Sequence, residues 1–178
     1  MNVKPSEIQL KGGKFFDYLD MKPDSIEIMD IAHALSMQCR FNGHVDHFYS
    51  VAQHSVLVSM YVPPEHAMVG LMHDATEAYI GDMASPLKQL IPQFREVEDQ
   101  VWQIIAEKFK LPGTLPQSVK EIDKRACLSE AMDLMGVGAK DWNWDCAPLD
   151  CGTIFPLCPA VAKELFISRW HDLLVQAA

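Results

Sequence analysis

Leu71-Met72-His73-Asp74-Ala75-Thr76-Glu77-Ala78-Tyr79 places three ionisable groups among otherwise mostly apolar residues. The pattern predicts a helix that follows Pro63-Pro64 and stops at Gly81. His73 and Glu77 are four apart and Asp74 and Glu77 three apart, so the three side chains share one face. A buried, unpaired carboxylate is costly. Two carboxylates and an imidazole on such a helix call for a counter-charge, and a divalent metal supplies it. The stretch therefore reads as part of a metal-dependent hydrolase.

Two residues elsewhere interrupt apolar faces in the same way. His54 has Val51 three before it and Val58 four after. Asp123 has Val119 four before, Ala126 three after and Cys127 four after. His54, His73, Asp74 and Asp123 make a set of two imidazoles and two carboxylates drawn from three helices. Mixed nitrogen and oxygen ligation suits one divalent transition metal, Co, Mn, Zn, Fe or Ni. Four protein ligands leave positions for water on a five- or six-coordinate ion, which marks the site as catalytic. A zinc peptidase helix carries H-E-x-x-H. Here the order is His73-Asp74-x-x-Glu77; the second imidazole is absent, which argues against peptidase chemistry.

The rest of the chain reads as an all-α helical bundle. Gly12-Gly13 before Phe15-Phe16-Asp17-Tyr18-Leu19 suggests a short N-terminal hairpin. Asp30 reads as the N-cap of a helix from Ile31 to about Cys39. Further helices are expected over about 48–61, 93–109, 116–135 and 159–175, with a Trp-, Pro- and Cys-rich loop at 137–158. The last helix has an apolar face (Val161, Leu165, Ile167, Trp170, Leu173, Leu174) that either the core or a homo-oligomer can claim. No boundary divides the chain, so one domain over 1–178 is expected, with its core at about 30–135.

The chain has 178 residues, 49% of them hydrophobic, and a net charge of −9. That charge argues against a nucleic-acid surface. No apolar run is long enough to span a membrane. The start lacks the apolar core of a signal peptide, and the five cysteines form no CxxC pair. These features predict a cytoplasmic protein with reduced thiols.

The residues together resemble the HD-domain metal-dependent phosphohydrolases. Arg40-Phe41, Val51-Ala52-Gln53-His54-Ser55, His73-Asp74-Ala75-Thr76-Glu77 and Gly81-Asp82-Met83-Ala84-Ser85-Pro86-Leu87-Lys88 are similar to bacterial 5′-deoxynucleotidases and to small phage dATP triphosphohydrolases. The resemblance spans about residues 30–135 and implies an HD-domain bundle around the metal. It implies Glu77 as the acid/base residue and Asp82 as a second catalytic group that contacts the sugar or orients water. Arg40, Phe41, Pro86 and Lys88 would meet the substrate. Lys120, one turn before Asp123, would reach a phosphate tail. Such deoxynucleotidases commonly carry Trp after the Arg, where this chain has Phe41. The aromatic wall survives without its N–H, so the resemblance speaks more strongly to the chemistry than to selection of deoxyribose over ribose.

The expected reaction is cleavage of the 5′-phosphate ester of a small-molecule nucleotide, with a dNMP favoured. A dNTP triphosphohydrolase, with additional Mg on the triphosphate, breaks the same bond and is the alternative. A non-catalytic nucleotide-binding module is the second alternative, and intact Glu77 and Asp82 argue against it. Trp142 and Trp144 read as rim packing rather than as a surface for a base.

Overall fold

The computed structural model describes residues 3–136, 142 and 144–176. An antiparallel hairpin, β1 (Glu7–Gln9) and β2 (Phe15–Asp17), pairs Ile8 with Phe16. Helices follow: α1 (Ile28–Met37), α2 (Val51–Tyr61), α3 (Ala67–Met72), α4 (Glu77–Ile80), α5 (Ser85–Leu90), α6 (Pro92–Phe109), α7 (Gln117–Leu134) and α8 (Pro159–Gln176). The predicted helical bundle with a short N-terminal hairpin is thus the observed architecture. α2 is the central rod, packed by α1, α3, α7 and α8.

α8 buries Ala162, Phe166, Trp170 and Leu173, a spacing of four, four and three that draws one stripe along the helix. This stripe packs on α1, α2 and α3. The core thus claims Trp170 and Leu173 from the face noted in the sequence, while Val161, Leu165 and Leu174 stay exposed.

Asp30 is not an N-cap. α1 starts two residues earlier, and the Asp30 carboxylate accepts the Gly12 N–H at 2.5 Å, tying the hairpin turn to α1. The hairpin also braces α4. Phe16 is fully buried with its ring 4.6 Å from that of Tyr79, and the Tyr18 hydroxyl donates to the Tyr79 carbonyl.

α2 begins at Val51 rather than near Phe48 because Ser50 caps it, its hydroxyl accepting the Gln53 N–H at 3.1 Å. Just before the cap, Cys39 and Ser50 form an isolated antiparallel bridge and the Arg40 N–H donates to the Tyr49 carbonyl at 2.9 Å. This closes the loop 41–48 and sets Arg40 beside Tyr49. A Cβ on Gly70 of α3 would stand 3.2 Å from the Ser59 Cα and 3.0 Å from Val62 Cγ2. The missing side chain therefore permits the close approach of α3 to α2.

The stretch expected as one helix is broken. α3 ends at Met72 and α4 starts at Glu77. Between them the backbone stays right-handed but its hydrogen bonds shorten to three residues: Ala75 to Met72 at 2.9 Å, Glu77 to Asp74 at 3.0 Å and Tyr79 to Thr76 at 2.9 Å. Three residues per turn eclipse positions i and i+3. Asp74 and Glu77 thus share a side through a tightened turn, not through a regular helix.

Candidate active site

His54 on α2, His73 and Asp74 in the tight turn, and Asp123 on α7 converge. His54 Nε2 lies 3.3 Å from His73 Nε2, 3.5 Å from Asp74 Oδ2 and 3.1 Å from Asp123 Oδ1. His73 Nε2 lies 3.2 Å from Asp74 Oδ2 and 3.7 Å from Asp123 Oδ1. Donors held about 2.1 Å from one ion stand about 3.0–3.4 Å apart for angles between octahedral and tetrahedral. The spacing of His54, His73 and Asp123 fits a single small divalent cation, with Asp74 beside the two imidazoles.

The far sides of both rings explain why their Nε2 atoms point inward. His73 Nδ1 meets the Gly70 carbonyl at 2.8 Å and His54 Nδ1 meets Glu130 Oε1 at 2.7 Å. Each acceptor fixes the proton on Nδ1 and leaves the Nε2 lone pair for the cluster. Two lone pairs 3.3 Å apart, beside two carboxylates, demand positive charge between them.

Titration follows the same field. Burial works against protonation of His73, but Asp74 and Asp123 hold it well above the ordinary imidazole value. For His54, burial and the Arg40 charge oppose protonation, while Glu130 and Asp123 outweigh them and raise it. Burial alone would raise both aspartates. The imidazoles hold Asp74 down at about 2 and Asp123 well below its usual range. In the metal-free protein, protons occupy the place of the cation, and metal must displace them.

Glu130 escaped the sequence reading. It is fully buried and also accepts Arg40 Nε–H at 3.0 Å and the Tyr49 hydroxyl at 2.9 Å. It lies two turns after Asp123, with Ala126 four before and Leu134 four after, the same interrupted face that marked Asp123. Burial would raise its pKa, yet His54 and Arg40 keep it ionised.

A cavity of about 700 Å³ opens over the cluster. Of the residues singled out in the sequence, Arg40, Phe41, Asp74, Glu77, Asp82, Pro86, Lys88 and Asp123 line it. Glu77 is buried, and its Oε2 has no hydrogen-bond partner among the described residues. Burial first, then Asp74 and Asp82, push its pKa well up. Burial also raises Asp82. Gln38 fixes this turn from both sides, donating to the Glu77 carbonyl at 2.9 Å and accepting the Asp82 N–H at 3.0 Å. Lys88 bonds Glu98 at 2.6 Å and stands 3.9 Å from Glu77 Oε1. Phe41 and Asn42 both have left-handed backbone, at φ 56° and 52°. For a bulky ring this is a strained conformation, and it presents Phe41 to the cavity.

Lys120 is exposed and lies outside this lining, where Lys124 stands instead. The cavity runs from Asp123 toward Cys127, and Lys120 lies one turn the other way.

A family model described as 5′-deoxynucleotidase YfbR-like matches residues 43–135. The chain belongs to this YfbR-like 5′-deoxynucleotidase family. It is similar to the uncharacterized protein YfdR of Escherichia coli K12, with 41% identity over 94% of this chain and 96% of that one. An uncharacterized Rhodobacter capsulatus protein is 37% identical over 66% of this chain and 65% of its own length. The family places the chain among HD-domain nucleotidase-type phosphohydrolases, which act on small nucleotides and bind a divalent metal. The donor set His54, His73 and Asp123, with Asp74 beside it, fits such an ion. Among the described residues, no helix is long and apolar enough to cross a membrane.

Proposed function

We propose that this YfbR-like protein is a 5′-deoxynucleotidase that cleaves dNMPs to deoxynucleoside and phosphate. The observation that carries this reading is the convergence of the His54, His73 and Asp123 donors, with Asp74 beside the two imidazoles, at a cavity also lined by Glu77, whose Oε2 has no hydrogen-bond partner among the described residues. His54, His73, Asp74 and Asp123 would hold Co, Mn, Zn, Fe or Ni. When bound, the ion supplies an acidified water and neutralises charge on the phosphate.

The chain's own groups do the rest. Arg40 keeps Nε on Glu130 and offers the other edge of its guanidinium to a phosphate oxygen. Lys88 faces the same oxygens and stands 3.9 Å from Glu77 Oε1. Burial and two neighbouring carboxylates disfavour the charge of Glu77, which suits it to carry a proton. Water oxygen bonds to phosphorus as the bond from phosphorus to O5′ breaks. Glu77 gives its proton to the departing O5′, and the proton of the attacking water restores it. Asp82 contacts the sugar or orients that water, while Phe41 and Pro86 shape the wall.

Charge supports a monophosphate over a triphosphate. Arg40, Lys88 and Lys124 face Asp74, Glu77, Asp82 and Asp123 across the cavity, and each cation already has a carboxylate partner in Glu130, Glu98 or Asp145. A tail of three phosphates needs more free positive charge than this. The five thiols are all free, which supports a cytoplasmic setting.

The test is chelator-stripped protein, reloaded with each metal and offered dNMPs and dNTPs, with nucleoside followed by chromatography. Deoxynucleoside and phosphate in equal amounts from dNMPs support the reading. Triphosphate from dNTPs with dNMPs untouched would replace it with the triphosphohydrolase. No nucleoside from any substrate would leave a binding module.

A further inference from the structure

Trp142 and Trp144 stand at the cavity. Both are half-buried indoles that line the cavity holding Asp74 and Asp123. Their ring centroids are 5.2 Å apart at a 31° tilt, and the Trp142 ring stands 6.3 Å from Phe41. The three rings form an aromatic wall in a cavity that also carries Arg40, Asp74, Glu77, Asp82, Lys88 and Asp123. Large apolar faces left on a charged, open cavity gain little from packing. A flat apolar ligand would cover them.

The position of the pair is built. Asp145 follows Trp144 directly and pairs with Lys124, the neighbour of Asp123. Beyond it, Arg125, Ser129 and Asp133, spaced four apart on α7, clamp the backbone. Arg125 donates to the Ala147 and Pro148 carbonyls at 3.0 and 3.2 Å. The Leu149 N–H donates to Ser129 Oγ at 2.8 Å, and the Ile154 N–H to Asp133 at 2.8 Å. On α2, Gln53 bonds the Phe155 carbonyl and the Leu157 N–H, both at 2.9 Å. This segment is laid along the helix that carries Asp123, which sets Trp144 at the cavity rather than free in solvent.

We infer that Trp142 and Trp144 form the base-binding platform of this enzyme, receiving the nucleobase by stacking while the phosphate lies over the metal cluster. The inference rests on the nucleotidase reading and adds where the base goes. Stacking reads the face of a base and not its edge, so the platform accepts purines and pyrimidines alike.

The test pairs dAMP with deoxyribose 5-phosphate, which keeps the ester and lacks the base. For the wild type, kcat/KM is higher with dAMP. In Trp142→Ala and Trp144→Ala it falls by about 5- to 100-fold with dAMP, mostly through KM. With deoxyribose 5-phosphate it stays within about twofold, and the Phe variants recover most of the dAMP value. Equal use of both substrates by the wild type, or equal losses on both in the variants, overturns the platform and leaves the nucleotidase reading intact. A second readout needs no catalysis. dAMP added to chelator-treated protein quenches indole fluorescence saturably in the wild type and not in the W142A/W144A double variant. Hydrolysis of neither substrate overturns the nucleotidase reading, and the platform then stands or falls on this quench alone.

Discussion

The floor and the mouth of the cavity are built by opposite means. The floor is charge locked into the bundle. His54 and Glu130 are fully buried, each imidazole has its Nδ1 fixed, and Glu130 binds three partners at 2.7–3.0 Å. The mouth is more open and comes mostly from loops: the left-handed turn at Phe41–Asn42, the indoles of Trp142 and Trp144, and Asp145, which pairs at the surface with Lys124 of α7. A wrong floor leaves buried charge uncompensated, whereas a wrong mouth loses only contacts with solvent nearby. The floor should therefore govern kcat and metal binding, and the mouth KM.

The largest effect is expected at the floor. Asp74→Ala removes one donor and its charge, and activity should drop by ~10³-fold or more, because metal supplies several kcal/mol of transition-state stabilisation. Metal content after dialysis, read by mass spectrometry, should fall with it; a variant that keeps its metal and its rate breaks the comparison. Next is Glu77→Gln, which keeps shape and loses the proton. kcat should fall by ~10²–10⁴-fold with metal content unchanged. A loss carried by KM instead would assign Glu77 to binding.

Glu130→Gln comes third. It preserves volume but weakens the acceptor that orients His54, so metal affinity should fall by ~10–100-fold. The pH dependence sharpens this. In the metal-free protein His54 and His73 have raised pKa values, so their stabilising contribution is complete below the ordinary 6.5 and is lost as pH climbs through the raised values. Asp74, held at about 2, contributes above 3.8 and loses that contribution as pH falls toward 2. Metal needs both Nε2 atoms unprotonated, so its affinity rises with pH. Melting curves from about pH 5.5 to 9 should show the metal-free Tm falling toward alkali while the gain on adding metal grows. A metal-induced gain that shrinks with pH would remove the imidazoles from the ligand set.

The same division decides what the sequence made legible. His54 and Asp123 stood out because a polar residue on an apolar helical face breaks a period, and the architecture was readable because such periods ran through most of the chain. Glu130 broke the period equally, but its partners Arg40, Tyr49 and His54 lie about 80 residues away in the chain and only the fold brings them together. The tightened turn at His73–Thr76 was not legible, since its residues suit either spacing. Asp30 misled because a residue that caps a helix can equally accept a hydrogen bond from a distant turn. The mouth was read least well. Loop residues carry no period, and neither the stripe of Arg125, Ser129 and Asp133 nor the placement of Trp144 follows until the partner backbone is known.

The smallest expected effect separates two lysines four residues apart. Lys120 lies on the correct side of α7 but one turn short of the cavity, whereas Lys124 lines it and pairs with Asp145 beside Trp144. A sequence argument from helical angle alone ranks Lys120 first. The cavity lining reverses the order, because from α7 it takes Asp123, Lys124 and Cys127. Lys124→Ala frees Asp145 and loosens the end of the segment that sets the indole, so KM for dAMP should rise by about 2- to 5-fold, as suits an exposed pair, with kcat kept. Lys120→Ala should leave both parameters unchanged. High salt should weaken the wild type toward the Lys124→Ala value, because the pair is open to screening. An equal rise in KM from both variants would mean that the lysines act by general attraction of phosphate, and the mouth would then be a diffuse field rather than a positioned wall.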